Sequence, residues 1–137
     1  MLEIKKMNIR NYQEIIDLWK NTEGVAINNY DDSEKSIEKF IERNPTTCFV
    51  AEYENGIIGT IMGGNDGRRG LIYHLMVKLE HRKKGIGKKL LEKVEQSFKN
   101  EGIKRIYLVT YKENEIGNEF WKNNEYEIRD SVIFWSK

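Results

Sequence analysis

The sequence predicts an α/β chain, a mixed sheet with helices on both faces and elements in the order βααβββαβαβ. Three observations carry this. Apolar residues recur at helical spacing in some segments and at strand spacing in others. Asn55-Gly56 stands between two strand-like stretches, the mark of a tight hairpin. The nearly apolar stretches "LIYHLMV" and "RIYLVT" flank one long amphipathic segment, which makes a parallel βαβ unit. With 137 residues the chain has one domain's length, so residues 1–137 are expected to form a single unit.

The elements follow in order. "LEIKKMNI" alternates apolar and polar residues and reads as a first strand. "NYQEIIDLW" sets Tyr12, Ile15, Ile16 and Trp19 on one helical face, and Asn11 with Glu14 has the form of a capping box. Residues 21–30 have no period and read as a loop. Asp32 or Ser33 then caps a short helix with Ile37, Phe40 and Ile41 on its apolar face. Asn44-Pro45 ends it, because the residue before proline avoids helical angles. "TTCFVAEY" and "IIGTIMGG" are the hairpin strands, "NDGRRG" is a second turn, and "LIYHLMV" follows as a central strand. From Gly85 onward, Ile86, Leu90, Leu91, Val94 and Phe98 mark a long amphipathic helix, with Gly102 just past its end. "RIYLVT", a short helix near residues 116–123 and a last strand at 126–135 complete the order.

Composition narrows the function classes. A net charge of +1, with 39% hydrophobic and 33% charged residues, is ordinary for a globular protein and argues for neither nucleic acid nor a membrane as partner. No apolar run reaches membrane-spanning length, and "MLEIKKMNIRNYQE" lacks the apolar region of a signal peptide, so a cytoplasmic location is expected. Cys48 is the only cysteine and no Cys/His cluster has metal-ligand spacing; neither a disulfide nor a metal is expected.

The chemistry begins at "LEHRKKGIGKKL", residues 79–90, where five Lys or Arg residues surround two glycines between a strand and a helix. The first turn of a helix has N–H groups without internal acceptors, and the helix dipole favours negative charge there. Glycine lets a ligand approach the backbone, and Lys83, Lys84 and Lys88 add positive field, so a diphosphate is the natural occupant. Two other phosphate loops do not fit. Gly87-Lys88 is followed by Lys89 with no glycine five positions earlier, and Leu90 occupies the place of the third glycine in a dinucleotide fingerprint.

The spacing R-x-x-G-x-G from Arg82 to Gly87, opening the long helix after a strand ending "LMV", resembles the acyl-CoA-binding motif of the GNAT (N-acetyltransferase) superfamily. The element order is similar to that fold over essentially the whole chain. "NEIGNEFWKNNEY" agrees with a second family motif through Asn114, Gly117, Phe120, Trp121 and Tyr126. Trp121 stands where many members have tyrosine, and Glu125 where glycine is usual. The resemblance implies a mostly antiparallel sheet of six to seven strands, two of which splay apart at their C-terminal ends. It implies acetyl-CoA as cosubstrate. Pantetheine would pair with the backbone of Met76 and Val77, and the diphosphate would sit on the amides of Arg82, Lys83, Lys84, Gly85, Ile86 and Gly87. Asn114 would bond the pantetheine, brace the splay or cap a helix, and Trp121 would form core or pocket wall.

Acetyl transfer to an amine requires that the amine lose a proton, the oxyanion meet a donor and the thiolate depart. A backbone N–H near Met76 or Val77 suits the oxyanion. His74 is the candidate base, the alternative being a half-buried histidine satisfied by neighbouring backbone. Trp121 cannot donate a proton at neutral pH, which leaves Tyr111, Tyr107, Tyr73 or solvent to protonate the sulfur, with Tyr111 the candidate acid. His81 reads as solvated or near the phosphates. The loop "NTEGVAINNYDDSEK" is expected to meet the acceptor; Glu23, Asp31 and Asp32 either attract its ammonium or are solvated and capping carboxylates. Arg68 and Arg69 either bind an anionic group or form a charged hairpin tip.

The function read this way is acetyl transfer from acetyl-CoA to a primary amine of a small molecule or protein, by direct attack in a ternary complex. The alternative is a CoA-binding module without catalysis. A nucleic-acid binder built on HRKKGIGKK is disfavoured by the charge balance and the absence of interleaved aromatics. "YEIRDSVIFW" ends in four apolar residues, so Val132, Ile133, Phe134 and Trp135 should be covered on both faces, by the core and last helix or by a second copy in a homodimer.

Overall fold

Alternation along the strands divides the apolar residues between two cores. Cys48 and Val50 face one layer while Phe49 and Ala51 face the other; Ile57 and Ile58 part in the same way. The computed structural model describes residues 1–22 and 27–137. Its elements are β1 (Leu2–Lys6), α1 (Tyr12–Lys20), α2 (Glu34–Arg43), β2 (Cys48–Tyr53), β3 (Gly56–Asn65), β4 (Arg69–Val77), α3 (Ile86–Asn100), β5 (Arg105–Tyr107) and α4 (Glu115–Asn123). The five strands lie in sequence order, antiparallel from β1 to β4 and parallel between β4 and β5. α1 and α2 cover one face with Ile15, Ile16, Trp19 and Ile37; α3 covers the other with Leu90, Leu91, Val94 and Phe98. Gly63 and Gly70 let α3 sit close, since a Cβ at either would come within 2.9 Å of the Phe98 ring.

Several local expectations are corrected. Asn11 makes no side-chain cap, because it closes a short 3₁₀ turn that Asn8 caps instead. Glu14 accepts from the Ile57 N–H at 2.7 Å, tying α1 to the start of β3. The hairpin turns at Glu54 and Asn55, both with positive φ, so Gly56 pairs with Tyr53 rather than sitting in the turn. Of the two caps expected for α2, Ser33 is the one that forms, its hydroxyl accepting from Ser36 N–H. Residues 23–26 of the expected loop, Glu23 among them, lie outside the described residues.

Among the described residues the sheet has five strands where six to seven were expected, and the strand expected at residues 126–135 does not form. β5 stops at Tyr107, three residues long, and so offers little ladder for another strand. Within this chain Val132, Ile133, Phe134 and Trp135 are between 68% and 84% exposed, so the core and last helix do not cover them. Tyr126 is the last residue tied down, its hydroxyl donating to Glu95 at 2.8 Å and its ring packed on Trp121.

Candidate active site

The site is organised by one extra residue in β4. Thr60 pairs with Met76 and Met62 with Tyr73, so Ile61 faces both His74 and Leu75 across a β-bulge. His74 adopts φ 50°, left-handed backbone that costs a non-glycine residue about 1–2 kcal/mol. Strict alternation would send Tyr73 and His74 to opposite faces; the bulge turns both toward α1 and α2. Tyr73 meets Phe40 edge-on at 5.7 Å, and His74 stacks on Trp19 at 4.1 Å. Leu75 packs in the α3 core.

Hydrogen bonds hold the bulge from both sides. The Trp19 indole N–H donates to Thr60 Oγ1 at 2.9 Å, and the Thr60 hydroxyl donates to the His74 carbonyl at 2.8 Å. His74 Nε2 lies 2.9 Å from Asp32 Oδ1. Asp32, only 5% exposed, also accepts from the Asn28 N–H, and its carbonyl accepts from the Tyr12 hydroxyl. An ionised Asp32 therefore sets the imidazole with its proton on Nε2 and a lone pair on Nδ1. The His74 side chain is 16% exposed, and Nδ1 has no hydrogen-bond partner among the described residues. The His74–Asp32 pair is the feature that the sequence reading missed. Its members stand 42 residues apart, and no local spacing announces them.

Beside the bulge the sheet opens. β5 pairs with β4 only through Arg69–Arg105, Gly70–Ile106 and Leu71–Tyr107. From Ile72 to Val77 the β5-side edge of β4 has no strand partner among the described residues. Met76 and Val77 lie on this open edge, their side chains divided between the two cores. At its end Arg82 Nε donates to the Val77 carbonyl at 3.0 Å and pins the basic loop to the strand.

The two glycines of that loop do different jobs. Gly85 is the N-cap of α3 at φ 79°, with nothing within 4 Å of where a Cβ would stand. That open space lies at the helix N-terminus, whose first internal bond is Lys89 N–H to Gly85 O. Gly87 is instead a packing position, where a Cβ would approach the Phe120 ring of α4 to 3.2 Å. Lys83 and Lys84 are exposed, whereas Ile86 sends its side chain into the α3 core and leaves its backbone to the loop.

Asn114 caps α4, its Oδ1 accepting from Gly117 N–H at 3.0 Å while Nδ2 has no partner among the described residues. A Cβ at Gly117 would lie 2.5 Å from Nδ2, which explains the small residue there. Trp121 packs edge-on to Phe120 and Tyr126 against the α3 core. Tyr111 stands exposed between β5 and α4, its carbonyl accepting from Asn114 N–H and Asn118 Nδ2. Burial, with smaller contributions from Asp31 and Tyr107, pushes the Tyr73 hydroxyl up from its ordinary value. His81 sits beside Tyr53, at 5.5 Å between rings.

An open cleft between parallel strands and a glycine-opened helix at its mouth are the geometry that the family resemblance implied, and the bulge stands at the apex of that cleft. A model described as Acetyltransferase (GNAT) family matches residues 12–126. The chain belongs to the GNAT acetyltransferase family. Relatives named as acetyltransferases include plu1384 of Photorhabdus laumondii, 34% identical, with 97% of this chain and 93% of the relative aligned. SG1711 of Sodalis glossinidius is 31% identical over 99% of this chain and 94% of its own. The fold is similar to that of PaiA N-acetyltransferase from Thermoplasma acidophilum in complex with coenzyme A, at TM-score 0.84 and 22% identity over 95% of this chain and 92% of that one. AAC(6')-Iy in complex with a CoA bisubstrate analogue gives TM-score 0.76 and 20% identity over 100% and 98%. No helix among the described residues is long and apolar enough to cross a membrane.

Proposed function

We propose that this GNAT protein transfers an acetyl group from acetyl-CoA to a primary amine of a small molecule or protein, by direct attack in a ternary complex in the cytoplasm. The observation that carries this is the His74–Asp32 pair at the apex of the open β4 edge. The backbone of Met76 and Val77 pairs with pantetheine, and Asn114 Nδ2 donates to one of its carbonyls. The amides from Arg82 through Gly87, with Lys83 and Lys84, hold the diphosphate, and Trp121 walls the cleft.

His74 Nδ1 takes a proton from the acceptor ammonium, directly or through one water, and Asp32 stabilises the resulting imidazolium. The freed nitrogen lone pair forms the N–C bond as the carbonyl π pair moves to oxygen, where the N–H at Met76 or Val77 donates. The oxyanion pair then re-forms the carbonyl, the C–S bond breaks and the sulfur leaves with its electrons. Tyr111 supplies the proton that sulfur takes up, and the attacking nitrogen gives up its second proton to solvent.

Two measurements test the reading: the thermal shift on adding acetyl-CoA, and free-thiol release against a panel of amines. His74→Ala should lower kcat by about 10²–10⁴ with acetyl-CoA binding nearly intact, and should erase the limb of the pH profile on which the imidazole deprotonates. Full turnover in that variant removes His74 as base. One observation, tryptophan at position 121, favours a second reading as a CoA-binding module. A thermal shift without thiol release for any amine supports that module, and absence of a shift defeats both readings. The exposed Val132, Ile133, Phe134 and Trp135 favour a homodimer that covers them. A monomeric mass at high micromolar concentration would contradict it.

A further inference from the structure

On the α2 side of the bulge lies a pocket of about 270 Å³. Its walls are apolar and aromatic, with Phe40 from α2, Leu71 and Tyr73 from β4 and Tyr107 from β5. Tyr73, which lines the pocket, immediately precedes His74 and is turned to the same face by the bulge; His74 itself does not line it. Two guanidinium groups line the pocket, Arg43 from the end of α2 and Arg69 from the start of β4. Neither makes a side-chain hydrogen bond or salt bridge among the described residues, and Arg69 lies 5.8 Å over the Tyr107 ring.

Asn44 and one oxygen of Asp66 are already engaged. Asn44 donates from Nδ2 to the Phe40 carbonyl and accepts at Oδ1 from Asn65 N–H. Asp66 Oδ1 accepts from the N–H groups of Arg68 and Arg69 at 2.8 and 2.9 Å, so this carboxylate closes its own turn instead of pairing with a guanidinium. Arg68, its neighbour in the "NDGRRG" turn, does not line the pocket. Two unpaired guanidinium forks at the edge of an aromatic-walled pocket match one kind of group, a planar anion able to accept two hydrogen bonds. The opposite charge stands toward the Asp31 loop, whose carboxylate is near enough to act on the Tyr73 hydroxyl.

Resting on the acetyl-transfer reading for the amine end, we infer that the acceptor is a small amino carboxylate whose carboxylate is held by Arg43 and Arg69 while its amine reaches His74. Phe40, Leu71 and Tyr73 line the carbon chain between the two ends. A polyamine or an unsubstituted alkylamine would leave both arginines facing a cationic or apolar end, and the pocket selects against it.

The test separates this inference from catalysis by measuring binding in the dead-end complex with CoA, where no acetyl group is present. The probes are ω-amino and diamino carboxylic acids of increasing chain length, each beside its carboxamide, titrated calorimetrically. At least one acid should bind more tightly than its amide by about tenfold to a hundredfold. That preference should vanish in Arg43→Gln/Arg69→Gln and persist in Arg68→Gln. Acids and amides binding alike, no acid binding at all, or a preference that survives the double substitution would each overturn the inference. Failure of acetyl transfer itself would register differently, as acid-selective binding without thiol release.

Discussion

Thr60 is the residue on which the shape of the site rests, and replacing it by valine isolates a single hydroxyl. That hydroxyl accepts from the Trp19 indole and donates to the His74 carbonyl, and both Trp19 and Thr60 are fully buried. Valine fills nearly the same volume, so no cavity forms, yet a buried N–H and a part-buried C=O both lose their partner. Each such group costs about 1–3 kcal/mol, which puts Thr60→Val at roughly 2–4 kcal/mol after partial relaxation. Thr60→Ser keeps both bonds and deletes one buried methyl, a loss of about 1 kcal/mol. Urea unfolding of the three proteins reads the difference directly. Valine should lie about 1–3 kcal/mol below serine, with an unchanged slope on urea concentration. Because the lost bond also holds the left-handed backbone of His74, kcat should fall in the valine variant and hold in the serine one. Equal stabilities for valine and serine would refute the view that this hydroxyl anchors the bulge.

The Gly85→Ala substitution places a Cβ at φ 79° in open space, costing about 1 kcal/mol in backbone strain, but it should remove most of the acetyl-CoA-induced thermal shift. Lys93→Ala on the exposed face of α3 should keep that shift, and matching shifts would defeat the phosphate-loop assignment. Gly87→Val is a poorer probe, because it also displaces Phe120. Glu125, at φ 69°, ends α4 with Glu125 N–H bonded to Lys122 O and Tyr126 N–H to Trp121 O, the pattern Gly102 and Ile103 make at the end of α3. Glu125→Gly should therefore stabilise the fold by about 1 kcal/mol in urea, whereas Gly102→Ala should destabilise it similarly. Burial pushes the Cys48 thiol up to about 12, against 9.0 ordinarily. Its stabilising effect is complete below pH 9.0 and is lost as pH rises toward 12, because only the unfolded chain ionises there. Cys48→Ala should flatten that alkaline loss by about 1.4 kcal/mol per pH unit, and an unchanged slope in thermal melts would contradict the shift.

What the sequence determined by itself is whatever local spacing encodes. The apolar faces of α1 and α3, the stop at Asn44-Pro45, the parallel unit around α3 and the basic loop at Gly85 are all fixed by neighbours a few residues away. These carried the family as well, because its acyl-CoA motif is a contiguous run. Where two local solutions competed, the sequence did not choose between them. Asn8 took the cap that Asn11 was expected to form, and the turn fell one residue before Asn55-Gly56. Tertiary structure decided the chemistry. A single extra residue opposite Ile61 reversed the facing of His74, and only the folded sheet brought Asp32, 42 residues distant, to its ring. The separate duties of Gly85 and Gly87 depend on α4 packing beside one and open space beside the other. The last apolar run met the same limit from the other side. Its pattern requires cover, but pattern does not name the partner, and a three-residue β5 leaves it exposed in this chain.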